Sequence, residues 1–296
     1  MTKEQGWYYK YDAAEAAKYY FIRERVANAL LYLLMLGPLL WMIQDFISGV
    51  SSLWLYLLSL CIINIAGWAH DKYTSIHNIH IWSILFMECD PEKMLEFISL
   101  VEPYKKWGKK RWEQARMMYL VRKAQIYLDL KRPDEGLTYL KQADVPMEEF
   151  AAELLRLTMY AYYAYEMQDR AGFDRAKQDM EKLPALKKYN KAELRGYKKQ
   201  MAFVRMRKLL WDGKKEEARA LISSLLQEEM TAGGNEMNRV FLHMRLADLD
   251  IEDGDQAAAK PHLEYVISHG NTLGVVEDAK KMIEEGRSDE SVFLGK

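Results

Sequence analysis

Two apolar runs constrain this chain more than any other feature. From Val26 to Ile43 it reads VANALLYLLMLGPLLWMI, and Phe46 to Ala69 is likewise free of Asp, Glu, Lys and Arg; only Asp45 lies between. At 1.5 Å per residue a helix over the first run spans about 27 Å, close to the roughly 30 Å of a bilayer hydrocarbon core. The second run is longer and can tilt. Gln44–Gly49 is short and polar enough to turn at the far surface. Gly37-Pro38 would break a soluble helix, but membrane helices tolerate such pairs. Trp41 and Trp54 flank the turn and Tyr19, Tyr20 and Trp68 mark the other end, as in an interfacial aromatic belt. The pattern predicts a two-helix transmembrane hairpin over residues 26–69.

Orientation follows from the basic residues. Lys3, Lys10, Lys18, Arg23 and Arg25 precede the first helix and Lys72 follows the second, whereas the turn carries none. The positive-inside rule then places both termini in the cytosol of a multi-pass protein of the cell (inner) membrane. The first run starts late and lacks a small-residue cleavage site, which argues against a signal peptide. Residues 1–25 form a cytosolic or interfacial segment. Their aromatic stretch from Trp7 either lies on the headgroups or extends the first membrane helix.

The rest of the chain is mildly polar. With 42 Lys+Arg against 43 Asp+Glu there is no basic footprint for nucleic acid, so no nucleic-acid partner is expected. Few prolines and glycines, with abundant Leu, Ala, Lys and Glu, favour helix. Cys61 falls in the hairpin and Cys89 in a soluble turn, too far apart in environment to form a disulfide.

Five segments repeat beyond the hairpin: CDPEKMLEFI from Cys89, KRPDEGLTYL from Lys131, AGFDRAKQDM from Ala171, GKKEEARALI from Gly213 and GDQAAAKPHL from Gly254. Each reads as a turn followed by a helix start. Their sixth positions are Met94, Gly136, Ala176, Ala218 and Ala259, spaced 42, 40, 42 and 41 residues apart. Seven residues before each turn stand Trp82, Ala124, Ala164, Met206 and Ala247. Small residues at such positions let two helices cross closely, and a helix pair of this size needs a stacked neighbour to bury its apolar stripe. Leu246-Ala247 through Gly254-Asp255 to Ala259, and residues 124–143, resemble the tetratricopeptide (TPR) pattern, although the period exceeds the usual length of about 34. The expected fold is all-α: the hairpin, then a TPR-like α-solenoid of about five helix pairs over residues 70–285 that ends in a capping helix, and a tail over 286–296.

That resemblance implies that the first helix of each pair lines a concave groove. Carrying the groove position from repeat to repeat selects Gln125, Tyr165, Arg207 and Asp248 as partner-binding residues. Two basic clusters stand apart. Lys105, Lys106, Lys109, Lys110 and Arg111, interleaved with Trp107 and Trp112, suit anionic lipid or an acidic partner. The second, Lys187 to Lys199, suits an acidic partner or is a solvated loop. His70, His77 and His80 share one helical face, but no carboxylate completes a metal-ligand spacing, so no metal site is expected there. No phosphate loop, HExxH or Gly-x-Ser-x-Gly is present, and no catalytic residue or cofactor is expected.

The expected function is therefore non-enzymatic: a membrane-anchored scaffold or adaptor that binds a cytosolic protein or peptide through its groove. Two alternatives stand beside it. One is a subunit of a larger membrane transport or secretion complex, docking through the hairpin, where Ser51, Ser52, Ser59, Asn64 and Gly67 could meet other membrane helices. The other is a peptide-responsive regulator.

Overall fold

The computed structural model describes residues 6–49, 53–102, 113–143, 145–231 and 234–294. Among them are twelve helices and no strand. The chain divides into two compact units, residues 2–84 and 85–296.

The first unit is a hairpin of two helices, each long and apolar enough to cross a membrane: α1 (Ala13–Ile47) and α2 (Leu53–Phe86). The side chain of Asp12 caps α1 by accepting from Glu15 N at 2.8 Å. α1 then runs unbroken through Pro38; it begins at Ala13, so Tyr19, Tyr20 and Phe21 are part of it while Trp7 to Tyr11 precede it. Leu33, Leu40, Phe46, Ile47 and Trp54 expose most of their surface, so the hairpin carries an apolar face that no part of the described fold covers. At the open end, His70 bonds Asn28 at 3.1 Å, His77 bonds the buried Tyr8 hydroxyl, and His80 stacks on Trp7 at 4.1 Å. Each histidine of the stripe is thus engaged by a residue of the N-terminal segment or of α1. Asn64 donates to the Leu60 carbonyl of its own helix at 2.8 Å, which satisfies part of the side chain read as a docking group. Ser51 and Ser52 lie outside the described residues.

The second unit contains α3 (Pro91–Val101), α4 (Glu113–Asp129), α5 (Pro133–Gln142), α6 (Phe150–Glu166), α7 (Arg170–Leu186), α8 (Lys191–Trp211), α9 (Lys215–Thr231), α10 (Glu236–Glu252), α11 (Gln256–His269) and α12 (Val275–Leu294). α4 packs on α5, α6 on α7, α8 on α9 and α10 on α11, each joined by a turn of a few residues. Three apolar clusters tie the pairs together. One joins α4, α5 and α6 around Val121, Leu140 and Met159; the next joins α6, α7 and α8 around Leu157, Phe173 and Val204. The third joins α8, α9 and α10 around Phe203, Ile222 and Leu242. Each cluster holds one pair and the first helix of the next, so no pair buries its stripe alone.

The turns recur with one geometry. Cys89, Lys131, Gln168, Gly213 and Gly254 are all left-handed, with φ of 53°, 56°, 57°, 70° and 80°. Asp90, Asp169 and Asp255 follow directly and cap the next helix, accepting from Lys93 N, Gly172 N and Ala258 N at 2.9–3.0 Å. This geometry corrects the third repeat. Its turn residue is Gln168, three positions before Ala171, so the counterpart of Met94, Gly136, Ala218 and Ala259 is the fully buried Phe173. The close-crossing residue of α6 is likewise Ala161, fully buried, and not the half-buried Ala164. Gly136 has a specific reason to lack a side chain: a Cβ there would overlap the Tyr163 hydroxyl and come within 2.8 Å of Tyr127 Cβ. That hydroxyl donates to the Ala124 carbonyl at 2.6 Å, which locks α4, α5 and α6 at one point.

The last loop returns to the first turns of this unit. Asn271 Nδ2 donates to Glu88 O at 3.0 Å, and the Thr272 hydroxyl contacts Asp90 at 2.7 Å while its N–H donates to Cys89 O at 3.3 Å. Gly274 N–H donates to Asp129 O at 2.9 Å, and Lys131 pairs with Asp278 on α12. The helix pairs between residues 89 and 274 therefore close on themselves. α2 passes unbroken through residue 70, where the sequence begins the repeat domain, and α12 continues to Leu294, past the expected tail boundary.

Candidate functional site

The helix pairs frame a partly open cavity of about 670 Å³. Its wall is built mainly by the first helix of each pair. α4 supplies Arg122, Gln125 and Asp129, α6 supplies Leu155, Met159, Tyr162 and Glu166, and α8 supplies Gln200, Phe203 and Arg207. α10 supplies Asn238, Phe241 and Arg245. Each set recurs three or four residues apart, as one stripe of a helix must. Pro133 is the single α5 residue of the wall, and among the described residues α7, α9 and α11 supply none.

The lining is apolar with a few convergent charged groups, and its volume falls in the roughly 300–1,000 Å³ range of ligand pockets. The Arg207 guanidinium carbon lies over the Tyr162 ring, 3.5 Å from its centroid, and Nη1 donates to Phe203 O at 3.4 Å. Tyr162 in turn donates to Gln200 Oε1 at 3.3 Å. Arg122 donates to Gln125 Oε1 at 2.8 Å and sits over the Phe86 ring at 5.5 Å. Arg245 is answered by Asp248 at 3.0 Å and Glu166 at 3.7 Å. Asp129 is 7% exposed, and its Oδ2 has no hydrogen-bond partner. Burial pushes this carboxyl up to about 8, against the opposing pull of Arg207 and Arg122.

Two of the four residues expected in the groove, Gln125 and Arg207, line the cavity. Tyr165 does not. Its ring packs against Trp211 at 5.3 Å and Phe173 at 6.4 Å, beneath Arg207 and Arg245. The reason is the three-residue shift in the third repeat: counted from Gln168, the groove position falls on Tyr162, which does line the cavity. Asp248 acts one step away by holding Arg245. The charged wall residues that sequence reasoning missed are Arg122, Asp129, Lys131, Glu166, Glu193 and Arg245. Arg122 and Asp129 flank Gln125 at helical spacing, and that periodicity was the available signal.

Lys105, Lys106, Lys109, Lys110 and Arg111 lie outside the described residues. In the second basic cluster, Lys199 pairs with Glu229 at 2.5 Å and Lys187 donates to Glu148 O at 3.2 Å, so part of it is spent within the fold. Among the described residues no group of three His, Cys, Asp or Glu side chains is placed to hold a metal ion. No family model, curated protein or solved structure matches this chain.

Proposed function

We propose that this chain is a membrane-anchored, non-enzymatic binding protein. A TPR-like α-solenoid receives a segment of a cytosolic protein or peptide, and a two-helix hairpin with both termini in the cytosol tethers it to the cell membrane. The observation that carries this reading is the cavity itself, whose wall comes from the inner helices and joins apolar surface to convergent arginines. Tyrosine and arginine recur at the energetic centres of protein recognition sites. Anchoring raises the effective concentration of a bound partner near the bilayer without new contacts.

The closed arrangement also favours the regulator reading over an open scaffold. A cavity of about 670 Å³ accepts a few residues and not a folded domain. An occupant would bear on Asp129, whose carbonyl accepts from Gly274 in one of the contacts that close the helix pairs.

The test is co-purification of the full chain in mild detergent, read by mass spectrometry. The variants are Tyr162→Ala with Arg207→Gln in the cavity and Glu216→Ala on exposed α9 as the control. A partner lost from the cavity variant and retained by the control supports the proposal. Equal recovery from both overturns it.

A further inference from the structure

Two buried polar atoms in the cavity have no partner in the fold: Asp129 Oδ2, an acceptor, and Arg207 Nε, a donor. Such groups are rarely buried unanswered, and here both face one cavity. They do not answer one another, because no ion pair joins them. Nη1 of Arg207 is taken by Phe203 O and the guanidinium contacts Tyr162, while Nε, on the edge that receives a carboxylate in a bidentate pair, has no partner. The remaining cationic groups of the wall are engaged within the fold, Arg122 by the Gln125 amide oxygen and the Phe86 ring. Arg245 has Glu166 and Asp248, and Lys131 has Asp278.

We propose that the cavity binds a small zwitterion with an apolar body, its carboxylate on the Nε edge of Arg207 and its ammonium on Asp129. The proposal rests on the reading of this cavity as the binding site and names the chemistry of its occupant. An anion alone would leave the Asp129 carboxyl without a partner. A cation alone would leave Arg207 Nε without an acceptor. Phe203 and Phe241 supply wall for an aromatic or branched side chain, and the volume suits one or two amino-acid residues. A free amino acid and a dipeptide carry the same two ends.

The protonation of Asp129 gives a second readout. Around it stand Arg122 on its own helix, Tyr162 and Tyr163 on α6 and Arg207 on α8, and Gly274 donates to its backbone carbonyl. Burial raises this carboxyl to about 8, against the pull of Arg207 and Arg122. An incoming ammonium favours the carboxylate, so binding releases a proton.

The experiment is titration calorimetry on the full chain in lipid nanodiscs, with L-phenylalanine, the dipeptide Phe-Leu, N-acetyl-Phe-Leu and Phe-Leu amide as probes. We expect Phe-Leu or phenylalanine to bind, whichever is tighter naming the source. Each blocked dipeptide should bind at least about tenfold more weakly than Phe-Leu. Arg207→Gln should abolish the discrimination against the amide, and Asp129→Asn the discrimination against the acetyl form. Repeating the titration in buffers of different ionisation enthalpy should show proton release in the wild type and none in Asp129→Asn. Equal binding of free and blocked ends overturns the proposal, as does discrimination that survives in both variants. If none of the probes binds while Tyr162→Ala with Arg207→Gln still loses its co-purified partner, the zwitterion is wrong and the cavity remains the binding site. If both experiments fail, both readings fall.

Discussion

Tyr162 and Tyr165 are three residues apart, less than one helical turn, yet one lines the cavity and the other packs against Trp211. All four tyrosines of this run point to different tasks: Tyr160 donates to Leu140 O at 3.1 Å and Tyr163 to Ala124 O at 2.6 Å. Nothing in the identity of a tyrosine separates these roles; only the phase of the helix against its neighbours does. Residue-scale electrostatics make a prediction on the same helix. Glu153 and Arg156 are buried and doubly bonded, at 2.7 and 2.9 Å, and Glu153 also accepts from Met147 N at 2.8 Å. Burial would raise the Glu153 carboxyl, but Arg156 and the Met147 N–H outweigh it and hold it below the usual value. A depressed carboxylate contributes stability that is present above its unfolded value and lost as pH falls through the folded one. Glu153→Gln strands the arginine and should cost about 3 kcal/mol at neutral pH, with the gap closing on acidification below about pH 4. Urea titrations of the full chain in detergent, followed by far-ultraviolet circular dichroism, measure both; an equal midpoint for variant and wild type would refute it.

At the scale of the element, the left-handed turn residue sets the register of every pair. Glycine occupies it at 213 and 254, and the sequence reads these turns, like those at Cys89 and Lys131, in register. Cys89, Lys131 and Gln168 occupy it elsewhere, and a side chain in that conformation costs about 1–2 kcal/mol. Cys89 and Lys131 are still marked by the prolines two positions on, Pro91 and Pro133; Gln168 has neither glycine nor that proline, which hid the third turn and caused the three-residue error. Gln168 is exposed, so Gln168→Gly should relieve the strain and stabilise the protein by up to about 1 kcal/mol, seen as a raised Tm. The opposite holds at Gly274. A Cβ there would come within 2.8 Å of the Leu130 carbonyl carbon and 2.9 Å of its oxygen, backbone atoms that cannot swing aside. Gly274→Ala should cost about 1–3 kcal/mol by overpacking. Hydrogen exchange should rise at residues 88–92 and 129–131, where the clasp lands, before it rises elsewhere; unchanged exchange there would mean that the clasp does not hold the pairs shut.

For the whole molecule, the hairpin makes a topological prediction. With Cys61 and Cys89 replaced, Ser48→Cys at the turn should react with a membrane-impermeant maleimide added outside intact cells, and Glu216→Cys on α9 only after the membrane is opened. The reverse pattern would invert the proposed orientation. The hairpin, the helical class and the existence of pairs were legible in the chain alone, because apolar length, small-residue spacing and turn composition are local quantities. The closure of the last loop on Glu88–Asp90 and Asp129 was not, because it joins residues more than 140 positions apart through backbone groups that every sequence carries. The cavity depends on that closure. Arg122, Asp129 and Arg245 read in sequence as ordinary charges on amphipathic helices; only the tertiary structure turns them inward, where burial leaves Asp129 and Arg207 with bonds still to make.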